Sequence, residues 1–145
     1  MKLLVTLLAA TLLAGAAEQK LALKDLPPAV QKTVQDQTKG ADIRAISKET
    51  ENGKTSYEIE TMVNGKHRDF DIDAHGAVTE LEEETALDDL PPAARSAIQK
   101  KVAGGKIGIV ETVTRGTTTS YEAQYTGKDG KKHEVRVKPD GTEVK

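Results

Sequence analysis

The sequence predicts an α+β protein made of two tandem helix-plus-antiparallel-meander repeats, with the helices packed on one face of the sheet. Three observations carry this. Landmarks in the first half return in order in the second, at an offset of 64 and then 65 residues: Leu23-Lys24-Asp25-Leu26-Pro27-Pro28-Ala29 becomes Leu87-Asp88-Asp89-Leu90-Pro91-Pro92-Ala93, and Thr55-Ser56-Tyr57-Glu58 becomes Thr119-Ser120-Tyr121-Glu122. Within each copy the apolar period changes from four residues to two. The alternating runs are separated by Asn52-Gly53, Asn64-Gly65, His75-Gly76, Asp129-Gly130 and Asp140-Gly141, pairs that suit hairpin turns.

Each element has its own reason. The first 16 residues read as a signal peptide: Lys2, an apolar run from Leu3 to Leu13, then Ala14-Gly15-Ala16 as a small-x-small cleavage site. That run is shorter than the ~20 residues a membrane span needs. A lipoprotein anchor would need a cysteine at the cut, and the chain has none. Residues 17–22 read as a short linker, 23–84 as the first repeat and 85–145 as the second. Paired prolines open each helix, because the first helical amides have no intrahelical acceptor and lose nothing when Pro removes a donor. Val30, Val34 and Thr38, matched by Ala94, Ile98 and Val102, form the apolar stripe. Gly40 and Gly104 stand where a helix end favours a residue tolerant of positive φ. Tyr57, Ile59 and Thr61 alternate with Glu58, Glu60 and Met62, and Tyr121, Ala123 and Tyr125 do the same in the second copy, the pattern of a half-buried strand. Phe70 and Ile72 have Val135 and Val137 as counterparts, and the last strand of the second copy is short.

Composition bounds the function. The chain is 145 residues long with 21 basic and 23 acidic side chains and only four aromatic rings, Phe70, Tyr57, Tyr121 and Tyr125. This argues against a nucleic-acid binder, which wants a basic stripe and stacking platforms. The core must be aliphatic and must hold without disulfides. Charge divides unevenly: residues 23–84 carry 8 basic and 14 acidic side chains, residues 87–145 carry 11 and 8. The opposite bias steadies one half on the other, or polarises the sheet for a partner.

The Leu-Pro-Pro helix opening, the Tyr-Glu strand, the Gly65-Lys66 turn with its Gly130-Lys131 counterpart, and the following aliphatic strand together resemble the PepSY-like group. That group is related in fold to secreted β-lactamase inhibitor proteins. The resemblance covers Leu23 to Lys145 and rests on structural motifs. It implies a periplasmic or extracellular module of two tandem units, of a kind proposed to bind or restrain other proteins, including peptidases. The disulfides and aromatic-rich binding face of the β-lactamase inhibitors have no counterpart here, so that activity is not carried over.

No catalytic constellation is legible. No serine stands in a nucleophile elbow, and there is no cysteine. His67, His75 and His133 have no partners at zinc spacing. Glu58 and Glu122 are expected to point outward and pair with cations across the sheet. The reading is therefore a non-enzymatic binding module without cofactor, taking a protein or peptide through the outer sheet face and hairpin tips: Asn52, Asn64 and His75 at the turns, Tyr125 as an aromatic anchor, Arg136 and Lys138 as charged contacts. A second reading comes from Asp71 to Glu82, which nearly spells a calcium loop with Asp71, Asp73, the Gly76 turn and a closing Glu82. It would make the protein a small envelope cation sensor, with the run Glu80, Glu82, Glu83, Glu84 contributing. The fifth position is His75, a poor calcium ligand, and the flanks alternate like strands.

Overall fold

The computed structural model describes residues 19–145; the expected signal peptide lies outside the described residues. The elements in chain order are β1 (Gln19–Lys20), α1 (Pro28–Gln37), β2 (Asp42–Glu51), β3 (Lys54–Val63), β4 (Lys66–Asp73), β5 (Val78–Glu84), α2 (Pro92–Val102), β6 (Lys106–Arg115), β7 (Thr118–Thr126) and β8 (Lys132–Val137). Every strand pairs antiparallel with its sequence neighbour, so one sheet of eight strands runs in the order β1 to β8. The protein is α+β, two helices against a single antiparallel sheet.

The helix starts follow the proline argument. Pro28 and Pro92 open α1 and α2. Each is preceded by a 3-10 turn that the sequence reading did not anticipate, Leu23–Asp25 and Leu87–Asp89, closed by Leu26 N–H donating to the Leu23 carbonyl and Leu90 N–H to that of Leu87. These turns tuck Leu26 and Leu90 into the core, which explains why the leucine precedes the prolines in both copies. Thr38 falls just past α1, and its hydroxyl donates to the Val34 carbonyl at 2.7 Å rather than extending the stripe.

Two apolar clusters form. Val30 and Val34 of α1 pack with Leu26, Ile46, Tyr57, Ile59, Phe70 and Ile72; Ala94, Ile98 and Val102 of α2 pack with Leu90, Val110, Ala123, Tyr125, Val135 and Val137. Residues directly opposite on paired strands share a face. The register Ile46–Ile59–Phe70–Leu81–Thr114 thus carries one face across from the first cluster toward the strand that supplies Val110. We call this the apolar face and its reverse the polar face.

Register shifts recur at matching positions, Ile43/Ala45 between β2 and β3 and Ile107/Val110 between β6 and β7. Such bulges sharpen the local twist. A second recurrence explains two glycines. Gly76 and Gly141 both have positive φ, 89° and 85°, and a Cβ on either would stand 2.8 Å from the Ala29 carbonyl oxygen or 2.7 Å from that of Ala93. Each turn is pressed onto the first turn of its helix, and Thr33 Oγ1 donates to the Gly76 carbonyl at 2.6 Å.

Two sequence expectations are corrected. The stretch expected as a linker contributes β1, whose Gln19 and Lys20 pair with Lys48 and Ser47, while Leu21 N–H donates to the Ile46 carbonyl. The second half has three strands where the first has four. In place of a fourth there is only a bridge between Val137 and Glu143, reinforced by Val144 N–H donating to the Arg136 carbonyl.

Candidate functional site

The polar face is where chemistry accumulates, because period-two alternation sends every second side chain of β2 to β8 there. Its register forms three rows across the strands. The first is Ser47–Glu58–Asp71–Glu80; the second is Asp69–Glu82–Val113–Ser120; the third is Glu84–Glu111–Glu122–Arg136. Like charges placed directly opposite repel, yet carboxylates meet carboxylates along much of these rows.

The groups are also shielded from water. Glu80, Glu111 and Glu122 are 8%, 4% and 3% exposed, and Val113 among them is 1% exposed. A buried carboxylate loses hydration, which favours its protonated form. Burial first, then the charges of Asp71 and Glu60, push Glu58 up to about 7. Burial, then Glu49, lifts Asp71 to about 6. Burial, then Glu122 and Glu111, raises Glu82 to about 8, outweighing the opposing pull of Arg136. Burial and Glu122 hold both Glu111 and Glu134 at about 7.

Two arginines answer this charge, both from the second half. Arg136 Nε donates to Glu122 at 2.8 Å, and its terminal nitrogens reach Glu122 at 2.6 Å, Glu82 at 3.2 Å and Glu80 at 3.5 Å. Arg115 pairs with Glu80 across the β5–β6 seam. Glu58 accepts only a 3.3 Å hydrogen bond from Ser47. The expected pairing across to a cation therefore holds for Glu122 and fails for Glu58.

The predicted site residues scatter. Asn52 and Asn64 do take positive φ, 49° and 51°, in their turns. Antiparallel succession places the Asn52 and His75 turns at one end of the sheet and Asn64 at the other. Lys138 is exposed just beyond β8, its N–H donating to the Thr142 carbonyl. Arg136 lies on the polar face as expected, but held among carboxylates rather than free for a partner.

Tyr125 is a correction. It is 9% exposed, packs with α2 in the second cluster and stacks on His133 with ring centroids 5.3 Å apart. Its odd position in β7 puts it on the apolar face with Ala123, so it is core and not an outer anchor.

The calcium-loop reading is corrected as well. Residues 71–82 form the β4–β5 hairpin. The Asp73 carboxylate accepts from His75 N–H at 2.9 Å and Ala77 N–H at 3.0 Å, and these bonds hold its carboxyl below the usual range. Asp71 faces Glu58 and Glu80, while Glu82 is tied to Arg136, so no common point faces all three. Among the described residues no group of three acidic, histidine or cysteine side chains could hold a metal ion.

Sequence reasoning missed the set that the register assembles: Glu80, Glu111, Glu122 and Glu134. A signal was present in the even–odd placement of acids along β5 to β8, but their meeting depends on which residues lie opposite.

With this geometry in place, the comparisons become informative. Residues 21–87 match the PepSY family, described as the peptidase propeptide and YPEB domain. The chain carries a PepSY domain. No curated protein matches its sequence. Among solved structures, a Bacteroides eggerthii protein provisionally described as periplasmic is 15% identical and superposes with a TM-score of 0.64, covering 83% of this chain and 86% of that one. A DUF2874 family protein from Bacteroides uniformis is 17% identical with a TM-score of 0.63 over 82% and 86%. A BLIP-like protein from Bacteroides fragilis is 18% identical with a TM-score of 0.56 over 83% and 84%. These likenesses show the fold. Among the described residues no helix is long and apolar enough to cross a membrane.

Proposed function

We propose that this PepSY protein is an exported, non-enzymatic module that binds and restrains another protein, a peptidase being the leading class of partner. In this reading residues 1–16 direct export to the periplasm or medium. Residues 23–84 and 85–145 are two tandem copies of one unit, and both helices cover the apolar face so that the polar face meets the partner.

The observation that carries the reading is the charge on that face. Seven strands contribute carboxylates that burial and mutual repulsion hold in an unfavourable state, relieved within the chain by Arg115 and Arg136. A fold has no need of such a surface for stability, since buried charge is costly. A partner supplying cations gains from it. The PepSY description, with its peptidase propeptide, points to a peptidase as the protein restrained. The Asn52 and His75 turns, at one end of the sheet, then border the contact, with Lys138 beside them.

The test is affinity capture from envelope extract with and without calcium, followed by an activity assay on what is captured. We expect one hydrolase enriched equally in both conditions, with its peptidase activity falling as the protein is added. Recovery of no partner in either condition, or a partner whose activity is indifferent to the protein, overturns the restraint reading.

A further inference from the structure

Every strongly buried carboxylate on the polar face has a donor within the chain except one. Glu80 has Arg115 and Arg136, and Glu122 has Arg136. Glu111 is 4% exposed, yet among the described residues no hydrogen-bond donor or cation reaches its carboxylate. Its row places Glu84 on one side and Glu122 on the other. The charges felt at its carboxyl, from Glu122, Asp69, Glu84 and Glu134, are all negative.

An anionic group so placed is stabilised by a proton or by a cation from outside. A metal ion would need several oxygens converging at fixed distance, and no such group exists among the described residues. The neighbours are nonetheless suited to a long organic cation. Glu84 gives one oxygen to His67 N–H at 2.9 Å, and Glu122 gives one to Arg136 at 2.6 Å. A carboxylate accepts up to about four hydrogen bonds, so both retain capacity toward Glu111.

We propose that Glu111, flanked by Glu84 and Glu122, is a subsite for one lysine or arginine side chain presented by the partner protein. This rests on the binding function above and narrows it: the partner's contact segment carries an exposed cation that reaches the middle of the sheet, at the β6 row. An ammonium or guanidinium on a flexible stem can reach a recessed carboxylate that a hydrated ion would enter only by losing its shell.

The probe is Nα-acetyl-lysine methylamide, titrated into the protein while the side-chain carboxyl carbons are followed by NMR, with the Nε-acetylated form as the uncharged comparison. We expect the Glu111 carboxyl resonance to shift saturably with the charged probe alone. Its titration midpoint should fall as the probe binds. Glu111→Gln should weaken binding about tenfold, the loss of one charge-assisted hydrogen bond, while Glu51→Gln, an exposed change on the same sheet, should leave it intact. An unchanged amide spectrum for Glu111→Gln separates lost binding from lost folding. Equal binding of both probes, or undiminished binding to Glu111→Gln, overturns the subsite.

The outcomes also separate the two readings. A partner captured equally by wild type and Glu111→Gln leaves the binding function standing and removes the subsite. Probe binding at Glu111 with no partner captured does the reverse. Self-association of the protein that disappears in Glu111→Gln would assign the cation to a second copy of this chain and overturn the assignment to a partner.

Discussion

The two halves of the molecule are alike on one face of the sheet and different on the other. On the apolar face, α1 and α2 meet equivalent strands, the same bulge recurs, and Gly76 and Gly141 each press on the start of a helix. On the polar face, β2 to β5 bring Glu58, Asp69, Asp71, Glu80, Glu82 and Glu84, while β6 to β8 bring both arginines that answer them. Packing constrains the first face, since volume changes in a core are costly. The second is free to differ, and the difference stitches the halves together through Arg115 and Arg136 at the β5–β6 seam.

This contrast can be broken at its strongest points. The first half owns the larger core residue, Phe70, where the second has Val135. Phe70→Ala should cost about 4 kcal/mol and Val135→Ala about 2 kcal/mol, read from chemical denaturation midpoints. Equal losses would mean that the halves do not rely on their cores differently.

Arg136→Ala should cost about 3 kcal/mol near pH 8, because it strands Glu80, Glu82 and Glu122 without their shared cation. The loss should shrink at lower pH as the carboxyls take up protons. A cost independent of pH would show that the guanidinium acts through packing alone.

The wild-type protein carries the same signature in milder form. Carboxyls with an ordinary value of 4.5 sit at about 7 to 8 in the folded chain, so the native state holds protons that the unfolded state has shed. Stability is then greatest below the unfolded value and falls as pH rises from about 4.5 to about 8. The lowered carboxyls, such as Asp73 and Asp129, act in the opposite sense only below this window. We expect about 2 kcal/mol less stability at pH ~8 than at pH ~5, measured by thermal melts across pH. A flat profile would mean that the polar face is better solvated than its burial indicates.

Smallest, and sharpest as a comparison, are Gly76→Ala and Gly141→Ala. Each adds a Cβ at positive φ against a helix carbonyl, and each should cost about 1–2 kcal/mol. Gly76 also accepts the Thr33 hydroxyl through its carbonyl, so its loss should be the larger. A reversed order would place more stability in the C-terminal turn than its exposed position suggests.

Much of the architecture was legible because it rests on local rules. Proline placement opened both helices, Val30, Val34, Ala94, Ile98 and Val102 were buried as their spacing indicated, and Asn-Gly pairs made the turns. The candidate site was far less legible. Tyr125 alternated correctly but was assigned to the wrong face, since alternation states that two faces exist without saying which one the helices cover. Asp71, Asp73 and Glu82 matched a calcium loop in spacing, but spacing converges ligands only within a particular backbone, and here that backbone is a hairpin.

From sequence alone came the α+β class, the repeated landmarks, the turns, the alternation of each strand and the resemblance to PepSY proteins, because each depends on residues close together in the chain. Only tertiary structure decided that Glu84, Glu111, Glu122 and Arg136 share a row, that Arg136 is committed to Glu80 and Glu82 across the seam, and that Glu111 is left without a donor. The reason is physical. Cross-strand register is set by packing and bulges summed over the whole sheet, and one residue of slip would send every one of these charges to the other face.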